Sequence, residues 1–189
     1  MINILIKKFI PNNEDILSPD VRKKYGVLGG VLGIICNSLL FLIIIIIGTI
    51  INSIAVISDA FNNLSDMGSS LVSIIGAKLG GKRADLEHPY GHGRAEYISA
   101  LIISFLIIFF GIELLRNSVG KILNAEEVST NIVSIAILGI SIPVKLWMWY
   151  YNKYMGEKIN SAILFAASRD SLNDVVATGA VIISAFIAP

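Results

Sequence analysis

The sequence has little cysteine and little charge. One cysteine, Cys36, excludes an internal disulfide; it stands in an apolar run, where a small packed side chain is expected. Charged residues make up 15% of the chain, against about 25% in soluble domains. The net charge of +1 gives no reason to expect nucleic acid as a partner. No charged residue at all occurs between Lys24 and Asp59, a gap too long for one buried helix of a soluble protein. The apolar start, Met1 to Ile6, runs into Lys7 and Lys8 and lacks a small-residue cleavage site, so it does not read as a signal peptide.

What the chain does have is hydrophobicity: 54% of residues are hydrophobic, with a mean hydropathy of +0.74. A bilayer core of about 30 Å needs about 20 apolar residues per helix. Five spans fit, over residues 27–50, 53–79, 97–115, 132–151 and 159–187. A tight turn near Asn52 separates the first two, and Gly80-Gly81-Lys82-Arg83 stops the second. The expected fold is an all-α membrane protein, a transmembrane helix bundle over residues 25–189 preceded by a cytoplasmic segment over 1–24. Lys7, Lys8, Arg22, Lys23 and Lys24 crowd the N-terminal segment. Lys82, Arg83 and Arg94 follow the second span, and Lys153 and Lys158 follow the fourth. The opposite side holds only Arg116 and Lys121. Positive loops stay inside, so the N-terminus is expected in the cytoplasm.

Polar residues interrupt two of the spans. In the second, Asp59, Asn62 and Asp66 are spaced three and four apart and share a helix face. In the fifth, Asp170 and Asp174 sit four apart. The two segments align without a gap: Asn52-Ser53 falls on Asn160-Ser161, Asn62 on Asp170, and Asp66 on Asp174. Spans two and five run in opposite directions, the relation expected of an inverted repeat of three plus three helices. Such a repeat calls for a sixth helix, so the sequence reads as a truncated chain. Each polar pair centres about 11 residues past its Asn-Ser, roughly 17 Å at 1.5 Å per residue, close to the midplane of a ~30 Å core.

Carboxylates at that depth cost roughly 2.5–3.5 kcal/mol each on insertion scales. A bound dication offsets this cost, and so does protonation. The plainer alternative is a neutral, hydrogen-bonded Asp gluing helices together. Asn62, Asp66, Asp170 and Asp174 offer four oxygen-bearing side chains, two from each helix, which suits tetrahedral coordination. Hard oxygen donors without His or Cys tilt the choice toward manganese(II). Asp59 aligns with the apolar Ala167 and is expected to support the site rather than ligate; Asn63 and Asn173 read as packing or supporting groups.

Both histidines lie in the loop Asp85-Leu-Glu-His88-Pro-Tyr-Gly-His92-Gly-Arg-Ala-Glu96. Asp85, His88 and His92 have metal-ligand character, the alternative being histidines that cap helix ends. Lys145, in the fourth span, is expected to face inward or to snorkel. Trp147, Trp149, Tyr150 and Tyr151 beside it look like an interfacial aromatic belt.

Ser58-Asp-Ala-Phe-Asn-Asn-Leu-Ser-Asp66 resembles the second-helix motif of the cation diffusion facilitator family. Asp170-Ser-Leu-Asn-Asp174 resembles the fifth-helix partner, and the loop Asp85–Glu96 the family's cytoplasmic connection. The resemblance extends from about Tyr25 to the C-terminus. It implies a six-helix, dimeric, proton-coupled exporter of divalent metals in the cytoplasmic membrane, with a cytoplasmic C-terminal domain. It implies a transport site of Asn62, Asp66, Asp170 and Asp174, no catalytic residue and no cofactor. Asp85, His88 and His92 match a second metal site of some members. Zinc members usually carry His at the position of Asp170, and this sequence departs from them as manganese exporters do. The expected cargo is therefore manganese(II), with zinc, iron, cobalt or cadmium as alternatives. Set against that pattern, the sequence is expected to lack the family's sixth helix and C-terminal domain. An intramembrane aspartyl protease is a rival from another class, but the Gly-x-Gly-Asp context typical of such enzymes is absent. A non-transporting metal sensor or scaffold is a third.

Overall fold

The computed structural model describes residues 2–11, 14–51, 54–82, 88–123 and 132–187. Among the described residues six helices follow one another: α1 (Ile2–Phe9), α2 (Pro19–Ile50), α3 (Ile54–Gly80), α4 (Arg94–Leu123), α5 (Ile132–Ile159) and α6 (Ala162–Ile187). Among the described residues there is no strand.

The stretch assigned above to a cytoplasmic segment holds α1 and the first turns of α2. α1 forms because Ile2, Ile6 and Ile10 recur every four residues and can bury one face. All three pack against Val21, Tyr25, Met155 and Ile159. α2 starts well before the apolar run at Val27. Ser18 is extended, Pro19 takes the first helical turn, and Asp20 places a negative charge at the helix's positive end.

α2 packs along α3 and α5 along α6, giving two hairpins. α4 lies against α3 and α6, while α2 also meets α5. Glycines on α2 permit the closest approaches. A Cβ on Gly33 would stand 2.5 Å from Ser70 Oγ on α3, and one on Gly29 2.6 Å from Leu164 Cδ2 on α6. Small residues at such crossings let backbones pack without a hydrophobic driving force in lipid.

The distribution of side chains is inside out. Asn37, Asn63, Asp66, Ser69, Ser73, Lys145, Asn152 and Ser168 are buried. Leu39, Leu42, Ile43, Ile46, Leu101, Ile102, Phe105, Ile108 and Ile112 are exposed. So many large apolar side chains turned outward on α2 and α4 mark a membrane-facing or interaction surface rather than a water-facing one. By length and apolarity, Pro19–Ile50 and the stretch Arg94–Glu113 qualify as membrane spans. α3 and α6 are lowered in hydropathy by the polar residues at their centres.

Tyr151 is a correction to the sequence reading. It belongs to the core, 0% exposed, not to an interfacial belt. Its hydroxyl donates to Gly29 O at 3.3 Å, and Trp147 packs edge-on at 4.8 Å between ring centroids. Tyr150, by contrast, is exposed. At the far end of α5 the chain turns through Asn160, whose φ of 50° is left-handed. Ser161 N–H reaches back to Gly156 O at 3.1 Å, closing a Schellman-type end. Arg22 donates to the carbonyls of Ile159 and Asn160 and pairs with Glu96 at 3.3 Å, so one guanidinium joins α2, α4 and the α5–α6 turn.

Candidate metal-ion site within the bundle

Asp66, Lys145 and Asp174 stand at or within about one residue of the middles of α3, α5 and α6. Helices of similar length, packed side by side, thus bring three charged groups to one depth. The Lys145 ammonium donates to Asp66 Oδ2 and, at 2.7 Å, to Asp174 Oδ2. Lys145 and Asp66 are buried. Two carboxylates from different hairpins therefore converge on one cationic atom.

A cavity of about 10 Å³, room for a single water, opens beside the ion pair. Asn37 of α2, Asp66 and Ser70 of α3, Lys145 and Asn152 of α5, and Asp170 of α6 line it. Asn37 is 1% exposed, and its Oδ1 has no hydrogen-bond partner among the described residues. An unsatisfied buried carbonyl is costly and calls for an explanation.

Of the expected ligands, Asp66, Asp170 and Asp174 lie around this centre. Asn62 is half-buried, one turn before Asp66. The fully buried stripe of α3 passes instead through Val56, Ala60, Asn63 and Asp66. Asn63 Nδ2 donates to Asp59 O at 2.9 Å, a bond within its own helix. Asp59 is half-buried, and its Oδ2 lacks a partner among the described residues. Asn173 is exposed. Among the described residues no three His, Cys, Asp or Glu side chains are grouped so as to hold a metal; a lysine stands where the carboxylates meet.

In the loop, Asp85 lies outside the described residues. The rings of His88 and His92 approach to 4.4 Å between centroids, and Gly91, with φ of 76°, makes the turn between them. Gly91 N–H donates to His88 O at 2.9 Å. Next to the start of α4, a larger cleft of about 270 Å³ is lined by Arg22, Lys23, Gly81, Glu96 and Ser161.

Two residues at the centre escape a reading by spacing. Lys145 carried a signal: a lysine in mid-span needs an anion, and the acidic pairs were the available ones. Asn37 carried a weaker one, an amide in an otherwise uncharged run.

The family model for the cation efflux transmembrane domain matches residues 30–188. The chain belongs to the cation diffusion facilitators. It is 35% identical to an uncharacterised transporter of Methanocaldococcus jannaschii, over 81% of this chain and 54% of the relative. It is 32% identical to a manganese efflux system protein of Bacillus subtilis, over 80% of this chain and 52% of the relative. A magnetosome protein, MamM, of Paramagnetospirillum magneticum is 30% identical over 80% of this chain and 48% of its own length. The chain spans about half the length of the curated relatives it matches. Cation diffusion facilitators are transporters in the membrane and not enzymes, which removes the protease alternative.

Proposed function

We propose that this facilitator exports manganese(II) from the cytoplasm in exchange for protons, with Asn62, Asp66, Asp170 and Asp174 as the transport site. The observation that carries the reading is the meeting of Asp66 and Asp174 at mid-bundle, beside a cavity that Asp170 also lines. Oxygen donors favour a hard dication, and a manganese efflux protein is among the relatives. The N-terminus is cytoplasmic, which puts the cleft beside Arg22 and Glu96 on the side from which the ion enters. α3 and α6 are equivalent helices of an inverted repeat, and rocking of the two hairpins alternates access. Asp66, Asp170 and Asp174 exchange metal for protons, because a ligand must be deprotonated to bind metal. Asn62 is a neutral ligand, Asp59 supports the site, and the protein works as a homodimer.

The test is manganese uptake into inside-out vesicles carrying the full-length protein. Asp66→Ala and Asp170→Ala should each abolish it; unchanged uptake in both removes the site. Zinc export is a second reading, favoured by the paired imidazoles of His88 and His92, since imidazole suits zinc. Competition between manganese and zinc on one preparation separates the two.

A further inference from the structure

Lys145 has no way out of the bundle. It sits at the middle of a helix running Ile132–Ile159, roughly 20 Å from either end at 1.5 Å per residue. A lysine stem spans only about 6 Å, so its ammonium cannot snorkel to a headgroup region. The residue is 4% exposed. Its charge must be answered inside, and Asp66 and Asp174 answer it. Those are the same carboxylates that the proposed transport reaction needs for its cargo.

We propose that Lys145 is a tethered counter-cation. Its ammonium holds the place between Asp66 and Asp174 that the transported ion must take, and it withdraws toward Asn37 when the ion binds. The inference rests on the metal-site reading above and adds a residue that shapes affinity and selectivity. Two features force the exclusion. The cavity beside the pair has room for one water, so an ion that enters it to reach the carboxylates stands directly against the ammonium. Like charges at contact in a low-dielectric interior also repel strongly. A third feature gives the ammonium somewhere to go. Asn37 lines the same cavity, and its buried Oδ1 has no partner among the described residues, which is the acceptor a displaced ammonium requires.

The arrangement discriminates by charge. Sodium or potassium brings no more charge than the ammonium it would replace, so the exchange gains nothing electrostatically. A dication brings twice as much. The ammonium also keeps Asp66 and Asp174 together when no ion is bound, and it lowers the affinity enough for the ion to leave.

The experiment measures the manganese Kd and the transport KM and kcat of the full-length protein, purified and reconstituted in liposomes. In Lys145→Met the competitor is gone: Kd and KM should fall about tenfold or more, kcat should fall, and potassium should begin to compete with manganese. In Lys145→Arg the guanidinium grips the carboxylates more firmly, and Kd should rise about tenfold. In Asn37→Leu the ammonium loses its alternative acceptor, and Kd should also rise. A merely structural lysine lowers the amount of active protein and leaves Kd and potassium sensitivity alone. Should Lys145→Met not fold, an unchanged Kd in both Lys145→Arg and Asn37→Leu overturns the proposal. Asp66→Ala separates the two levels. Manganese binding that survives Asp66→Ala overturns the metal-site reading itself. Binding that needs Asp66 but ignores Lys145 and Asn37 overturns the counter-cation alone.

Discussion

Replacing Asp66 by alanine tests whether the central ion pairs hold the bundle together. Lys145 Nζ attracts the Asp174 carboxylate with about 6 kcal/mol at 2.7 Å and an effective dielectric of 20, before desolvation is counted, and Asp66 is in direct contact with the same ammonium. Asp66→Ala deletes one of the two attractions and leaves the ammonium half-answered. Removing one partner of a buried pair costs about 3–5 kcal/mol, and Asp174 still bonds the ammonium, so the lower end is expected. In a chain of 189 residues that is a fall in Tm of roughly 6–12 °C at about 2–4 °C per kcal/mol. Thermal unfolding in detergent without manganese measures it. The double variant Asp66→Ala with Lys145→Met should recover part of the loss, because it removes the ammonium that Asp66→Ala leaves under-paired. Strict additivity of the two single losses, or a fall below 2 °C in Asp66→Ala, would refute the view that the cost lies in the pairing.

Two more outcomes follow from packing at other points of the bundle. Gly33→Ala puts a methyl 2.5 Å from Ser70 Oγ and should cost about 1–3 kcal/mol by overpacking; Gly139→Ala, with nothing within 4 Å among the described residues, should leave thermal stability unchanged or slightly raised. Arg22→Ala strips the carbonyls of Ile159 and Asn160 of their donor and breaks the Glu96 pair; amide exchange in the α5–α6 turn should rise, with a loss of about 1–3 kcal/mol, and Arg22→Lys should restore only part of it because a lysine lacks the fork.

Much of the fold was legible in the sequence because membrane helices announce themselves by length and apolarity. The five long helices α2 to α6 lie over the five apolar stretches, and their ends differ where polar turns prolong them, as at Pro19–Lys24 and Asn152–Ile159. α1 was missed because eight residues with two lysines are too short to stand out; only packing on α2 and α5 makes them a helix. The acidic residues were legible for a different reason: spacing of three and four fixes a helix face, and carboxylates are conspicuous among isoleucines. Their partner was not. Whether Lys145 faces lipid, water or an aspartate depends on how α5 is rotated against α3 and α6, which no spacing within α5 specifies. The same rotation of α5 turned Tyr151 from an expected interface residue into core, and the rotation of α3 put Asn63 rather than Asn62 in the buried stripe.

The ammonium bonds at the centre are of two kinds. Lys145 to Asp174 is a bond inside the α5–α6 hairpin, whereas Lys145 to Asp66 crosses to the α2–α3 hairpin. The crossing bond is a clasp on the seam between the hairpins, set at half their height, where neither end turn can reinforce it. Whatever unfastens that clasp also loosens one hairpin against the other, so a few atoms at the seam set the stiffness of the whole house.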